Sequence, residues 1–170
     1  MPRRIETERL VLTPEEEQDA EWFTELLNTR GTGTFTTEEA RQRIAAMTAT
    51  IEAIGIGALV LRTRLDGDAI GYCAIIIGRG SLEEPEIAYE LLPRAHNKGY
   101  ATEASRALLN AAFATGRSRI WATVRAWNGP SFRVLEKLGF HRDHSTTDDE
   151  GELIWLVCDA RLIARGCELT

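Results

Sequence analysis

The chain has 170 residues, 44% apolar and 27% charged, enough for one domain with a sizeable core, expected here over residues 1–170. Its formal net charge of −6 argues against broad nucleic-acid binding and against an anionic membrane surface, and favours a cationic or amine-bearing partner. Cys73, Cys158 and Cys167 show no CxxC spacing, no apolar run reaches membrane-spanning length, and MPRRIETERL has no apolar signal core, so neither disulfide framework nor metal site is expected and the protein is placed in the cytoplasm.

Thr7 to Thr13, TERLVLT, alternates as a first strand. Thr13, Pro14 and Glu16 then predict a capped helix with Ala20, Phe23, Leu26 and Leu27 on one face and the glutamates Glu15, Glu16, Glu17, Glu21 and Glu25 on a solvated one. After a Gly/Thr loop, Thr36 and Glu39 form a second capping box, and Ala40, Ile44, Met47, Ile51 and Ile54 recur at helical spacing. Ala58 to Arg64 and Ala69 to Ile77 flank Asp66-Gly67 as a hairpin.

The central stretch, PEIAYELLPRAHNKGYATEASRALLNAAF, reads as a strand from Ile87 to Leu92, a turn at Pro93, a basic loop ending in Gly99, and a helix from about Thr102. The first N–H groups of a helix lack internal partners and carry a partial positive charge, so a phosphate is well held at such a junction. Arg94, His96 and Lys98 make this loop locally basic, and Gly99, the small Ala101 and the Thr102 hydroxyl leave backbone amides open to close approach. Neither GxxxxGK[ST] nor a strand followed by GxGxxG occurs, so a third kind of phosphate loop is expected.

Farther on, Ile120 to Ala126 alternates as a strand, and Asn128-Gly129-Pro130 opens a helix closed by Gly139. Ser131, Val134, Leu135 and Leu138 share its inward face, while Asn128 or Ser131 can cap it. His141 and His144 would point to opposite faces of a strand and so not chelate one ion. A turn at Asp148–Gly151 precedes a last strand, Glu152 to Asp159.

Three stretches in this order, TERLVLTP, EIAYELLPRAHNKGYATEA and NGPSFRVLEKLGF, resemble the GNAT superfamily of acetyl-CoA-dependent N-acetyltransferases, and within it the RimJ/RimL ribosomal-protein branch. The resemblance implies an α/β (α+β) fold: a mixed, mostly antiparallel central sheet of about seven strands, flanked by about four helices. Two central strands, near Leu91 and near Trp127, would splay to admit coenzyme A. It places His96, Asn97, Lys98, Gly99, Tyr100 and Ala101 on the family's pyrophosphate loop, with His96 where Arg, Gln or Trp is usual and Asn97 in place of a common glycine. Because the ligand would be held by main-chain donors and Asn tolerates positive φ better than most residues, weakened but retained binding is expected. Thr102 would join them, Leu91 and Leu92 would pair with the pantetheine like an added strand, Asn128 would lie near the pantetheine arm, Ser131 near the sulfur, and Lys137 would reach the phosphorylated ribose.

The implied chemistry is direct transfer of acetyl to a primary amine. Losing the amine proton at pH 7 costs about 4–5 kcal/mol for a lysine and about 1–1.5 kcal/mol for an α-amine, so a peptide or amino-acid α-amine is the easier acceptor. Glu86 matches the family's general base, and Glu90, on the same strand face, would form a carboxylate pair with it. Ser131 would protonate the departing thiolate, with Tyr89 and Tyr100 as substitutes. The acceptor is expected to be a peptide N-terminus or else a small molecule (amino acid, polyamine or antibiotic), with its determinants in the Asn28–Phe35 loop and residues 143–151; a non-catalytic acyl-CoA-binding module is the alternative. A monomer or homodimer is expected, without a metal.

Overall fold

The computed structural model describes residues 1–160; Cys167 and the end of the expected domain lie outside the described residues. Thr7 turns the chain back, its N–H donating to the Leu10 carbonyl at 2.9 Å and its hydroxyl accepting from the Leu10 N–H at 3.0 Å, so the expected strand Thr7–Thr13 shortens to β2 (Leu10–Thr13) and a short β1 (Ile5–Glu6) precedes the turn. The expected cap at Thr13 also moves. Pairing with Val60 holds Thr13 extended, so the capping box forms at Glu16 and Asp19 around a 3₁₀ turn, Glu17–Asp19, that leads into α1 (Ala20–Thr29). Glu15 is consequently not on a solvated face but buried, at 4% exposure.

Helix α2 (Thr37–Ile54) starts at the predicted Thr36–Glu39 box and stops at left-handed Gly55. Strands β3 (Ala58–Thr63) and β4 (Ala69–Ile76) form the predicted hairpin, followed by β5 (Glu86–Leu91), α3 (Tyr100–Phe113), β6 (Arg119–Arg125), α4 (Gly129–Lys137), β7 (His141–Asp148) and β8 (Gly151–Asp159). Helix α3 begins two residues earlier than the sequence suggests.

Among the described residues there are four α-helices and one eight-stranded sheet in the order β1-β2-β3-β4-β5-β6-β8-β7. Every neighbouring pair is antiparallel except β5 and β6, which run parallel and share a single pair, Glu86 with Trp121. Beyond it the two strands part. The expected mixed, mostly antiparallel sheet with a central splay is therefore present, with eight strands in place of seven.

Alternate residues face α3 and α4 and make the main core: Leu10, Leu12, Leu59, Leu61, Ile75, Ile87, Leu91, Ile120, Val124, Ile154 and Leu156 pack with Leu108, Leu109, Leu135 and Leu138. On the other face Phe23, Leu26, Leu27, Ala40 and Ile44 of α1 and α2 form a second cluster with Leu92. Helix α1 contacts β4 and α2 packs against α1, and among the described residues neither packs extensively on β6, β8 or β7. A bulge between Arg142 and His144 sets His141 opposite Val157 and His144 opposite Trp155, which brings both histidines to one face against the expected alternation. Among the described residues no three metal-ligating side chains come together, and no helix is long and apolar enough to cross a membrane.

Candidate active site

The loop before α3 is built by two left-handed residues. His96 is extended (φ −66°, ψ 156°), Asn97 has φ +59° and Gly99 has φ +81°. Asn97 is the one non-glycine with positive φ among the described residues, a backbone state Asn tolerates better than most residues. Left-handed residues within a short turn swing successive amides toward one side, and here they lead into the unpaired N–H groups of the first turn of α3, at Tyr100, Ala101 and Thr102. The result is a cradle of main-chain donors that suits a diphosphate.

Arg9, not singled out from the sequence, braces this cradle. Its Nη1 donates to the Lys98 carbonyl at 2.9 Å, its Nε to Glu103 Oε2 at 2.7 Å, and its guanidinium lies 4.7 Å from the centre of the Tyr100 ring. Glu103 also accepts from the Thr7 hydroxyl (2.6 Å) and the Arg9 N–H (2.8 Å). Burial works to raise its pKa, but these donors outweigh it and hold the carboxyl below its ordinary value. The only sequence signal was that Thr7 and Arg9 stand in TERL. A groove of about 520 Å³ continues from Gly99 and Thr102 along Arg106 to Lys137, with Arg106 Nη2 donating to the Lys137 carbonyl at 2.8 Å. Lys137, predicted for the ribose phosphate, thus shares a groove with the loop, and Arg106 is a cation there that the sequence reading missed.

The wedge between β5 and β6 offers main-chain groups of its own. The Leu92 N–H donates to Ile70 O at 2.9 Å and is therefore spent within the sheet, so the expectation that Leu92 pairs with a ligand is corrected. Trp121 N donates to Pro85 O at 2.8 Å, which fixes the alternation: Tyr89 and Leu91 turn their main-chain groups toward the wedge. The Leu91 carbonyl is taken by His96 Nε2 at 2.8 Å, so His96 braces the strand end with its ring. Asn128 accepts from Ser131 N at 3.2 Å as the cap of α4, and the Tyr89 hydroxyl donates to the Ser131 carbonyl at 3.2 Å, spanning the wedge on the α3–α4 face. Burial pushes the Tyr89 phenol above its ordinary pKa. Tyr100 lies instead under Arg9 at the start of α3.

Glu86 occupies the opposite face and is 4% exposed, not an exposed strand residue. Its Oε1 accepts from Arg79 N and its Oε2 from the Thr123 hydroxyl at 2.9 Å. Gly78, at φ +54°, makes that approach feasible, because a Cβ there would sit 2.5 Å from Glu86 Oε1. Glu90 is on the same face but about 13 Å farther along at ~3.3 Å per residue, bound by Arg30 (Nε to Oε1, 2.9 Å) and by the Tyr72 hydroxyl (3.3 Å). The expected carboxylate pair does not form, because four residues of extended strand separate the two groups, each among its own donors. A third carboxyl, Glu15, has neither oxygen hydrogen-bonded; burial first, then the charge of Asp19, push its pKa to about 7.

The sheet is thus opened between two parallel strands, with unpaired main-chain amides at its mouth and a buried carboxylate beside the gap. Residues 9–141 match the acetyltransferase (GNAT) domain model, and the chain belongs to that family of acetyl-CoA-dependent N-acetyltransferases. Over 129 residues it is 34% identical to "Probable N-acetyltransferase YjcK" of Bacillus subtilis (strain 168), spanning 74% of this chain and 71% of that protein. A shorter match, 42% over 59 residues, reaches "Uncharacterized N-acetyltransferase YnaD" of the same organism and spans 34% of this chain and 35% of that protein. Among solved structures, the fold is shared with the ribosomal-protein-S5-alanine acetyltransferase of Vibrio fischeri (TM-score 0.78, 18% identity, 92% of this chain and 96% of that one). It is shared equally with AAC(6′)-Ib in complex with ribostamycin and coenzyme A (TM-score 0.77, 19% identity, 95% and 99%).

Proposed function

We propose that this chain, acting as one domain, acetylates the α-amine of a peptide or protein N-terminus in the manner of the RimJ/RimL branch. The observation that carries the reading is the two-sided wedge: Glu86 stands on the α1–α2 face of the sheet, Tyr89 and Ser131 on the α3–α4 face, and the parted strands lie between them. A thioester in that gap has a base on one side and a proton donor on the other. The diphosphate of acetyl-CoA rests on the amides from Asn97 to Thr102, with His96 and Lys98 framing the turn and Arg106 and Lys137 meeting the ribose phosphate. The pantetheine runs along Tyr89 and Leu91 as an added strand, past Asn128, and a wedge-facing N–H polarises the thioester carbonyl.

Glu86 accepts the proton of the attacking amine, directly or through water. A carboxylate has about four lone-pair positions, and Arg79 N and Thr123 use two, so they orient the group and leave it able to accept more. Nitrogen attack on the acetyl carbon opens the C–S bond, and Ser131, adjoining Tyr89, returns a proton to the sulfur. A thiolate leaves readily, so the base and the positioning carry more of the barrier than the acid.

The likeness to a ribosomal-protein acetyltransferase supports a peptide acceptor, and the likeness to an aminoglycoside-bound enzyme supports a small-molecule amine as the second reading. Thiol release measured across N-terminal peptides and free amines separates them. Glu86→Gln is expected to lower kcat about 10²–10⁴-fold with coenzyme A affinity retained, and Ser131→Ala to lower it less. An unchanged kcat in Glu86→Gln removes Glu86 as the base.

A further inference from the structure

Beside Glu86, on the same face of the sheet, stands a cation whose side chain the transfer chemistry above does not use. Arg79 lies in the loop between β4 and β5 and approaches Glu86 at two points. Its main-chain N–H donates to Glu86 Oε1, and its Nη1 reaches the Thr123 hydroxyl at 3.4 Å, the same hydroxyl that donates to Glu86 Oε2 at 2.9 Å. One hydroxyl therefore separates the carboxylate from the guanidinium.

The loop that carries Arg79 is tied down along its length. Gly80 N donates to Ile77 O at 2.8 Å, Ser81 N to Glu84 O at 3.1 Å, and Arg117 Nε to Leu82 O at 3.2 Å. Glu84 accepts from Trp121 Nε1 at 2.9 Å, and a Cβ on Gly80 would sit 2.4 Å from the Glu84 carbonyl oxygen. The backbone of Arg79 is thus fixed against the base by a tight turn, and its exposed side chain is reachable from solvent.

Charge matching sets Arg79 apart from its neighbours. Of the arginines on this face, Arg119 is bound to Asp159 at 3.2 Å and to Glu84 at 3.5 Å, and Arg125 to Asp148 at 2.7 Å and to Glu150 at 2.6 Å. Asp143 is taken by His144 at 2.7 Å. Across the sheet from Thr123 lies Trp155, with the rings of His144 and Trp121 centred 5.0 Å and 5.9 Å from its own, so aromatic rings and not a carboxylate adjoin the hydroxyl there. Among the described residues Arg79 has no ion-pair partner, and its Nε and Nη2 make no hydrogen bond. A guanidinium with free donors in one plane matches a carboxylate bidentately. An acceptor with no anion would instead bring its ammonium beside an unmatched cation, which like-charge repulsion disfavours.

We propose that Arg79 is the acceptor-specificity residue, and that the preferred acceptor bears a carboxylate close to its reacting amine. The nitrogen meets Glu86 while the carboxylate rests on the free donors of Arg79, each charge of the zwitterion against its opposite. That chemistry occurs both in a free amino acid and at a peptide N-terminus whose first residue is Asp or Glu. The proposal rests on the acetyltransferase reading and deepens it.

Thiol release is measured for alanine against alanine methyl ester, and for C-terminally amidated peptides starting with Asp against the same peptides starting with Asn. Wild type is expected to favour the carboxylate member of at least one pair by about tenfold or more in kcat/KM, and the pair that responds identifies the source. The ester has the less basic amine, so basicity alone works against this result. Arg79→Ala should cut the preference about tenfold, chiefly through KM, while Arg79→Lys, with the charge but not the planar fork, keeps part of it. Calorimetric affinity for coenzyme A should stay the same throughout. Should Arg79→Ala fail to fold, Arg79→Gln reads the same ratio. No preference for the carboxylate member in either wild-type pair, or equal losses for both members in Arg79→Ala, overturns the proposal. Absence of thiol release with every amine, by contrast, overturns the acetyltransferase reading.

Discussion

Asn97 shows how one residue can satisfy a backbone demand usually met by glycine. Left-handed backbone costs a Cβ-bearing residue about 1–2 kcal/mol, less for Asn, whose short amide interacts locally. Asn97→Gly should therefore keep or slightly raise stability and coenzyme A affinity, whereas Asn97→Ala should lose about 1 kcal/mol in denaturant unfolding and weaken coenzyme A binding several-fold. Equal behaviour of the two variants means that φ at this position does not matter for the cradle. That Asn97 stands where glycine is common was readable in the sequence because the loop pattern is local. The role of His96 was not: its contact with the Leu91 carbonyl depends on how a 3₁₀ turn at Pro93–Ala95 folds back on the strand end.

At the scale of elements, the cradle is an assembly of two segments about 90 residues apart. The turn between β1 and β2 supplies Thr7 and Arg9, and the first turn of α3 supplies Glu103 and the Lys98 carbonyl just before it. Removing Arg9 leaves a partly buried carboxylate with fewer donors and frees the loop. Arg9→Ala should cost about 1–3 kcal/mol in stability and weaken coenzyme A binding about tenfold, measured by thermal unfolding and calorimetry. Undiminished affinity in Arg9→Ala confines Arg9 to fold stability. Capping shows the same dependence on context. The Thr36–Glu39 box formed as read because both halves lie within one turn, whereas the Thr13 cap gave way when β2 took Thr13 into the sheet opposite Val60.

Across the whole molecule, the cations gathered at Arg9, Lys98, Arg106 and Lys137 oppose a net charge of −6, which suits an anionic carrier at one end and an amine elsewhere. Stability is linked to pH through Glu15. Its folded pKa of about 7 lies above the ordinary 4.5, so the folded protein keeps a proton that the unfolded chain releases. Stability is then greatest at or below about pH 4.5 for this group and falls as pH rises toward 7, by roughly 3 kcal/mol at 1.36 kcal/mol per unit. Glu15→Gln should remove that slope and be the more stable protein at pH 8, while differing little at pH 5, in urea unfolding at the two values. A parallel pH profile in both proteins places the linkage elsewhere.

The amphipathic periods of α1 to α4, the alternation of β6, the strand–turn–helix order around Gly99 and the family itself were all legible in the chain, because each is written within one short window of residues. The tertiary structure alone decided that Leu92 is spent on β4, that Glu86 and Glu90 are separate, that Glu15 is buried and that Arg9 braces the loop. It also gathered Trp121, His144 and Trp155 from three strands through a bulge that no local pattern signals. The physical reason is common to all of these. Strand register, bulges and cross-sheet hydrogen bonds are settled by competition among distant partners for the same donors and faces, and that competition is resolved only when the sheet closes.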